Sequence, residues 1–215
     1  LAKNYTALGN FETAKLKYEK SLKLNSNFEE ARTNLGRLNL FLGNYKEGWE
    51  QFNQREKLKE NYKLLGVKKD LIWSGNPSEK YLYIHAEQGI GDEVMFSSLF
   101  LDLSLLQKNI TITCDQRLIQ IFQLNFPKIN FIDRSIKINF NKNAKHLFLS
   151  SLGSIFRPNI NSFNEQQKSW LRPSIKDLNK IRKIIPISKK KKIGISWKTE
   201  AMNSEKRNIP LNNFV

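Results

Sequence analysis

The feature that most constrains this chain is an internal repeat. Leu8-Gly9-Asn10-Phe11 recurs as Leu42-Gly43-Asn44-Tyr45, 34 residues further on. A fixed spacing of this length marks stacked supersecondary units. Other positions keep the register, Ala14 with Gly48 and Tyr18 with Phe52. Small residues at the first pair let two helices approach closely, and aromatic rings at the second wedge between them. Gly9 and Gly43 stand where a helix ends and a turn requires positive φ. Asn25-Ser26-Asn27 is expected to cap a helix beginning near Phe28, whose Ala31, Leu35, Leu38 and Leu42 form an apolar stripe at helical spacing. The spacing therefore predicts a truncated first helix and further helices near 11–24, 28–42 and 45–60. One and a half such units cannot bury their faces alone. The expectation is that more repeats precede Leu1, that the last helix packs on a following domain, or both.

From about Lys68 the pattern changes. Tyr81-Leu82-Tyr83-Ile84-His85 is a short β-rich run, followed by the turn Glu87-Gln88-Gly89-Ile90-Gly91-Asp92 and a mostly apolar helix from Val94 to Leu106. A second strand at Ile110–Cys114, a helix at Arg117–Asn125, and strands at 130–132 and 146–149 follow. Strands alternating with helices imply a parallel, doubly wound sheet. Residues 174–185 read as a basic helix, and Lys192–Trp197 as the first strand of a further α/β unit. The predicted domains are helical hairpins over 1–62, an α/β domain over 63–173, and a linker helix with the start of a second α/β domain over 174–215.

Composition supplies limits. With 40% hydrophobic and 11% aromatic residues over 215 positions the chain can build a core. The single cysteine, Cys114, excludes an internal disulfide framework and a CxxC metal site, and in a strand interior it reads as a small buried hydrophobe. No stretch approaches the roughly 20 apolar residues that span a bilayer; a single cysteine fits a reducing compartment, and the expected location is cytoplasmic. The leading Leu1-Ala2-Lys3 lacks both an initiator Met and a signal segment. Together with the closing Asn212-Asn213-Phe214-Val215, it reads as the interior of a longer gene product. The formal net charge of +16 attracts nucleic acid, anionic surfaces or phosphorylated ligands. The lysines also accompany an Asn- and Ile-rich composition that accounts for them by bias alone, and both readings stay open. No helix-turn-helix, RNA-binding aromatic signature or zinc spacing singles out a specific nucleic acid.

Ligands of open α/β sheets bind at the carboxyl ends of strands, and the first such end here is the loop Glu87–Glu93. Gly89 and Gly91 permit a tight turn and close approach by a substrate. Val94 stands where a dinucleotide motif would have its third glycine, and Asp92 and Glu93 in the first helical turn would repel a pyrophosphate. A carboxylate at a helix N-terminus is held ionised by the dipole. Asp92 is therefore a candidate general base for deprotonating an acceptor hydroxyl, or else a cap of its own helix. Glu87 and Gln88 either orient an acceptor or hydrogen-bond the loop. His85 and His146 are too few and too isolated for a metal site, and Trp49, Trp73, Trp170 and Trp197 are expected at packing and domain junctions.

Gly48-Trp49-Glu50-Gln51-Phe52-Asn53-Gln54-Arg55, Trp73-Ser74-Gly75 and His85-Ala86-Glu87-Gln88-Gly89-Ile90-Gly91-Asp92-Glu93, taken together, resemble bacterial tetratricopeptide-repeat proteins with a glycosyltransferase-like domain. That domain is similar to ADP-heptose lipopolysaccharide heptosyltransferases, which have the two-Rossmann GT-B architecture. The resemblance continues through Leu149-Ser150-Ser151-Leu152-Gly153 and Gly194-Ile195-Ser196-Trp197-Lys198 to Lys206-Arg207-Asn208-Ile209-Pro210-Leu211. It implies tetratricopeptide hairpins followed by the N-terminal Rossmann-like half of a GT-B fold and the beginning of the second half. It also implies an inverting sugar transfer from a nucleotide sugar, with no metal or other cofactor. Asp92 would be the base, with Glu87, Gln88, Gly89, Gly91 and Glu93 as the acceptor loop. Lys198, Lys206 and Arg207 would lie near the donor phosphates, where a cation stabilises the leaving diphosphate. The chain departs from the family at Asn208 (usually Ser), Thr199 (usually Gly) and Gly153 (often Pro). Most of the donor-binding half falls beyond Val215, so a fragment of this extent is expected to be inactive by itself. The implied partners are a protein or peptide on the repeats and a nucleotide sugar. The competing reading is a non-catalytic interaction scaffold.

Overall fold

A computed structural model of the chain describes residues 1–87, 89–163, 169–185, 191, 194 and 208–210. It divides into two compact units, Leu1–Ser174 and Ile175–Val215.

The first unit opens with α1 (Ala2–Ala7), α2 (Phe11–Leu24), α3 (Glu29–Phe41) and α4 (Tyr45–Asn53), each packed on the next. Gly9 and Gly43 both take positive φ, 75° and 83°. The following amides close the same turn in both copies, Asn10 donating to the Tyr5 carbonyl at 2.9 Å and Asn44 to that of Asn39 at 2.8 Å. This is a six-residue C-terminal motif that only a left-handed residue permits. Ala14, Tyr18, Ala31, Leu35 and Leu38 form a small core between the helices. Gly48 lets α4 reach α3, since a methyl there would stand 2.8 Å from the Leu40 side chain.

Two expectations are corrected. Asn25 does not cap α3. Its Oδ1 accepts from the Asn27 amide in a local turn, and Phe28 occupies the cap position with no side-chain bond. The helix expected over 45–60 is broken. α4 ends at Asn53, and α5 (Glu56–Leu64) starts afresh after Arg55, whose backbone is extended (φ −54°, ψ 134°).

The sheet contains β1 (Leu82–His85), β2 (Ile110–Cys114), β3 (Asn130–Asp133) and β4 (Lys145–Phe148), all parallel, in the order β3-β2-β1-β4. One face presents Leu82, Ile84, Ile110, Ile112, Cys114, Phe131 and Leu147 to a single core with Phe96, Leu99, Phe100, Leu103, Leu118 and Phe122. These come from α6 (Ile90–Phe96), a 3-10 turn (Ser97–Leu99), α7 (Phe100–Leu106) and α8 (Gln116–Asn125). The helix expected from Val94 to Leu106 thus starts earlier, at Ile90, and is interrupted by a 3-10 turn. Ser97 Oγ donates back to the Val94 carbonyl at 2.7 Å, the kind of local bond that bends helices. Between β3 and β4 residues 134–144 cross the other face without forming a helix. The Phe140 ring instead packs against Tyr83, His85 and His146. That leaves room at the carboxyl ends of the strands.

α9 (Leu152–Phe156) follows β4 and receives α4. Trp49 Nε1 donates to the Arg157 carbonyl at 2.8 Å, and Asn53 Nδ2 donates to Ser154 Oγ at 3.0 Å. Trp73 is buried in the core of the sheet, its Nε1 donating to the Asn76 carbonyl at 2.7 Å, and Trp170 packs against the same core, its Nε1 donating to Ser97 Oγ at 2.9 Å. In the second unit, α10 (Ile175–Ile184) is the one described helix. The expected strand at Lys192–Trp197 falls largely outside the described residues. No helix among the described residues is long and apolar enough to cross a membrane.

Candidate functional site

The strand order reverses direction at β1, whose neighbours are β2 and β4. In an open parallel sheet that is where a crevice forms beyond the carboxyl ends. Here the crevice is a cavity of about 690 Å³. His85, Ala86, Glu87, Thr113 and Phe148 form its floor, residues 134–140 contribute Arg134, Ile136, Lys137, Ile138 and Phe140, and α5 and its end supply Asn61, Leu64 and Leu65. α5 is fixed across the strand ends by buried Leu58 and by Tyr62. The Tyr62 ring packs edge-on against Phe148 at 4.6 Å, and its oxygen accepts from the Phe148 amide at 3.3 Å. Burial pushes the Tyr62 phenol up to about 12.

Each carboxylate of the turn after β1 has its own partner. Glu87, with 4% of its side chain exposed, receives Arg55 Nη2 at 3.4 Å. Glu93 is completely buried. Its Oε1 accepts from Arg134 Nη1 at 2.7 Å and its Oε2 from the Asp115 amide at 2.7 Å. Burial raises the Glu93 carboxyl above the usual range, although the Asp115 amide and Arg134 pull the other way. Glu93 thus ties the turn after β1 to the ends of β2 and β3 and is sealed from any acceptor. Asp92 Oδ2 accepts from the Gly89 amide at 3.2 Å, and its side chain remains partly exposed. Of the three, it is the carboxylate that stays within reach of solvent. Asp92 does not line the cavity beneath α5. Gly89 and Gly91 are exposed, and a methyl at Gly91 would meet nothing. Gln88, Lys198, Lys206 and Arg207 lie outside the described residues, so the expected donor-phosphate cluster has no place in the described geometry.

The two histidines, distant in sequence, are brought together. His85 Nε2 and His146 Nδ1 are 3.0 Å apart, one donating to the other, with parallel rings. Burial, followed by the His146 neighbour, lowers His85 to about 3, and burial also lowers His146. Both are neutral at ordinary pH. Among the described residues no cluster of three metal-ligating side chains forms. Cys114 is buried, and burial first, with Glu93 nearby, pushes its thiol up to about 12. Asp115 is held well below the usual carboxylate range, chiefly by the Arg117 side chain and amide.

Sequence reasoning did not single out Arg55, Asn61, Thr113, Arg134 or Ser150 for the site. One signal was available for Arg134: an arginine directly after an expected strand lies at its carboxyl end. Arg55 closes the quoted segment Gly48–Arg55, but nothing in the sequence tied it or Asn61 to the site, because both belong to the helical segment.

No family model matches the chain, and no solved structure matches it. Over 98 residues the chain is 35% identical to Protein FlbA of Caulobacter vibrioides, a match covering 42% of this chain and 16% of that protein. The chain thus spans only a small part of that relative's length.

Proposed function

We propose that this chain is the acceptor-side part of an inverting, nucleotide-sugar-dependent glycosyltransferase of GT-B type, its tetratricopeptide hairpins binding a protein acceptor or partner. The observation that carries the reading is Asp92. It stands in the first turn after β1, at the reversal point of a parallel sheet, and keeps its carboxylate partly exposed while Glu87 and Glu93 are buried in ion pairs. A carboxylate so placed can take the proton of an acceptor hydroxyl as its oxygen attacks the anomeric carbon and the nucleoside diphosphate departs. In this reading Gly89 and Gly91 keep the approach to Asp92 open. Gln88 contributes to the acceptor loop, and Lys198, Lys206 and Arg207 neutralise the departing diphosphate. The organic reaction calls for no metal.

The test is turnover of ADP- and UDP-sugars by the full-length protein, with and without Asp92→Asn. Loss of a general base lowers the rate by about 10²–10⁴-fold. Sugar nucleotides that neither bind nor turn over, or an Asp92→Asn protein as active as the parent, would remove this reading. A non-catalytic scaffold is the second reading, and one observation favours it. The bond from the Gly89 amide to Asp92 Oδ2 is what a plain helix cap makes.

A further inference from the structure

Arg55 is a guanidinium buried in the joint between the helical segment and the sheet, and its bonds cross that joint. It occupies the break between α4 and α5, with 7% of its side chain exposed. Nη1 donates to the Phe52 carbonyl at 2.9 Å, and Nη2 donates to Ser150 Oγ at 2.9 Å and to Glu87 Oε1 at 3.4 Å. The plane stacks 3.6 Å from the centre of the Phe52 ring. Ser150 lies two residues beyond the end of β4 and Glu87 two residues beyond the end of β1, so one side chain ties together the segments that leave these two adjacent strands. Removing a charge from water is costly unless its bonds are replaced, and here three acceptors and a ring face replace them. A lysine offers a point charge and cannot match a planar fork.

The same residue sets the course of the chain. Its extended backbone ends α4 and starts α5 in a new direction, across the strand ends, where Asn61, Leu64 and Leu65 become a wall of the cavity. We propose that Arg55 is a positioning residue for the site. It fixes the start of the Glu87–Gly91 turn to the helical segment, so that α4 and α5 are a constituent of the site and not a detachable recruiting arm. The effect on turnover rests on the transferase reading, whereas the effect on the turn does not.

The test is amide hydrogen exchange over residues 86–91 in the full-length protein, with exchange in β2 as the internal reference. Arg55→Met is expected to speed exchange in the turn at least tenfold with β2 unchanged, and Arg55→Lys to restore part of the protection. Asn53→Ala cuts two neighbouring bonds of the same joint, to Ser154 and from Ser151, without touching the turn and should leave its exchange within twofold of the parent. If Arg55→Met does not fold, Ser150→Ala and Glu87→Met each remove one acceptor of the guanidinium and should speed the turn at least threefold. Unchanged exchange in the Arg55, Ser150 and Glu87 variants overturns the proposal, as does an equal rise in Asn53→Ala, which would make Arg55 ordinary interface packing. With sugar nucleotide as substrate, Arg55→Lys should lower kcat with KM for the donor unchanged. A parent protein without turnover removes the transferase reading and leaves the exchange result to decide on Arg55.

Discussion

Replacing Gly153 by alanine tests how the helical segment is seated on the sheet. Gly153 lies in α9, where alanine alone would favour the helix by up to about 1 kcal/mol. The packing reverses that sign. A methyl at this position would stand 2.2 Å from one ring carbon of Trp49 and 2.4 Å from the next, whereas carbons in contact lie about 3.5–4.0 Å apart. The indole has to retreat by about 1.5 Å to reach that separation, yet it is tethered by its bond to the Arg157 carbonyl at 2.8 Å. Breaking the tether costs about 1 kcal/mol, and overpacking adds about 1–3 kcal/mol. After the helix preference is set against these, Gly153→Ala is expected to destabilise by about 1–3 kcal/mol. At about 2–4 °C per kcal/mol for a unit of this size, Tm falls by about 2–12 °C. Thermal and urea unfolding followed by circular dichroism measure it. Trp49→Phe in the alanine background removes the clashing ring and should recover about 1–2 kcal/mol in a double-mutant cycle. A neutral or stabilising Gly153→Ala, or a cost independent of Trp49, would refute the reasoning.

Three further outcomes are expected. The folded His85 imidazole is depressed to about 3, below its unfolded value near 6.5. The stability it contributes is therefore present above about pH 6.5 and is lost as pH falls towards 3, about 2 kcal/mol between pH 7 and 5. Urea midpoints across that range should fall less steeply in His85→Asn. Arg134→Met leaves Glu93 buried without its cation and should destabilise by about 3–5 kcal/mol at pH 7. Because burial raises the folded Glu93 carboxyl, its contribution is present below its unfolded pKa and lost as pH rises, so the deficit of Arg134→Met should shrink in acid. Cys114, buried with its thiol pushed up to about 12, should resist a thiol reagent in the native protein and react at once in denaturant; fast native labelling would contradict its burial.

What the sequence determined is local. The 34-residue spacing placed the turns at Gly9 and Gly43, where positive φ is a property of a single residue and its neighbours. Alternating apolar runs placed the strands of the parallel sheet within a residue or two, because β1 and β2 bury every second side chain against one helical layer. The turn with Asp92 was legible as a strand-to-helix connection because two glycines follow an apolar run, while the role of Asp92 as base or cap stayed open in the sequence. Tertiary structure decided which carboxylate is reachable. Burial of Glu93 depends on Arg134, 41 residues away, and that of Glu87 on Arg55, 32 residues the other way. The break between α4 and α5 was hidden for the same reason. Gln54-Arg55 carries no helix-breaking residue, and two of the three acceptors of the Arg55 guanidinium, Glu87 and Ser150, are 32 and 95 residues away. Nor could spacing foresee that His85 and His146 would bond, since their pairing comes from β1 and β4 lying side by side. The conformation of a glycine turn is set by nearest neighbours along the chain, whereas the ionisation and exposure of a side chain are set by whatever the fold brings against it.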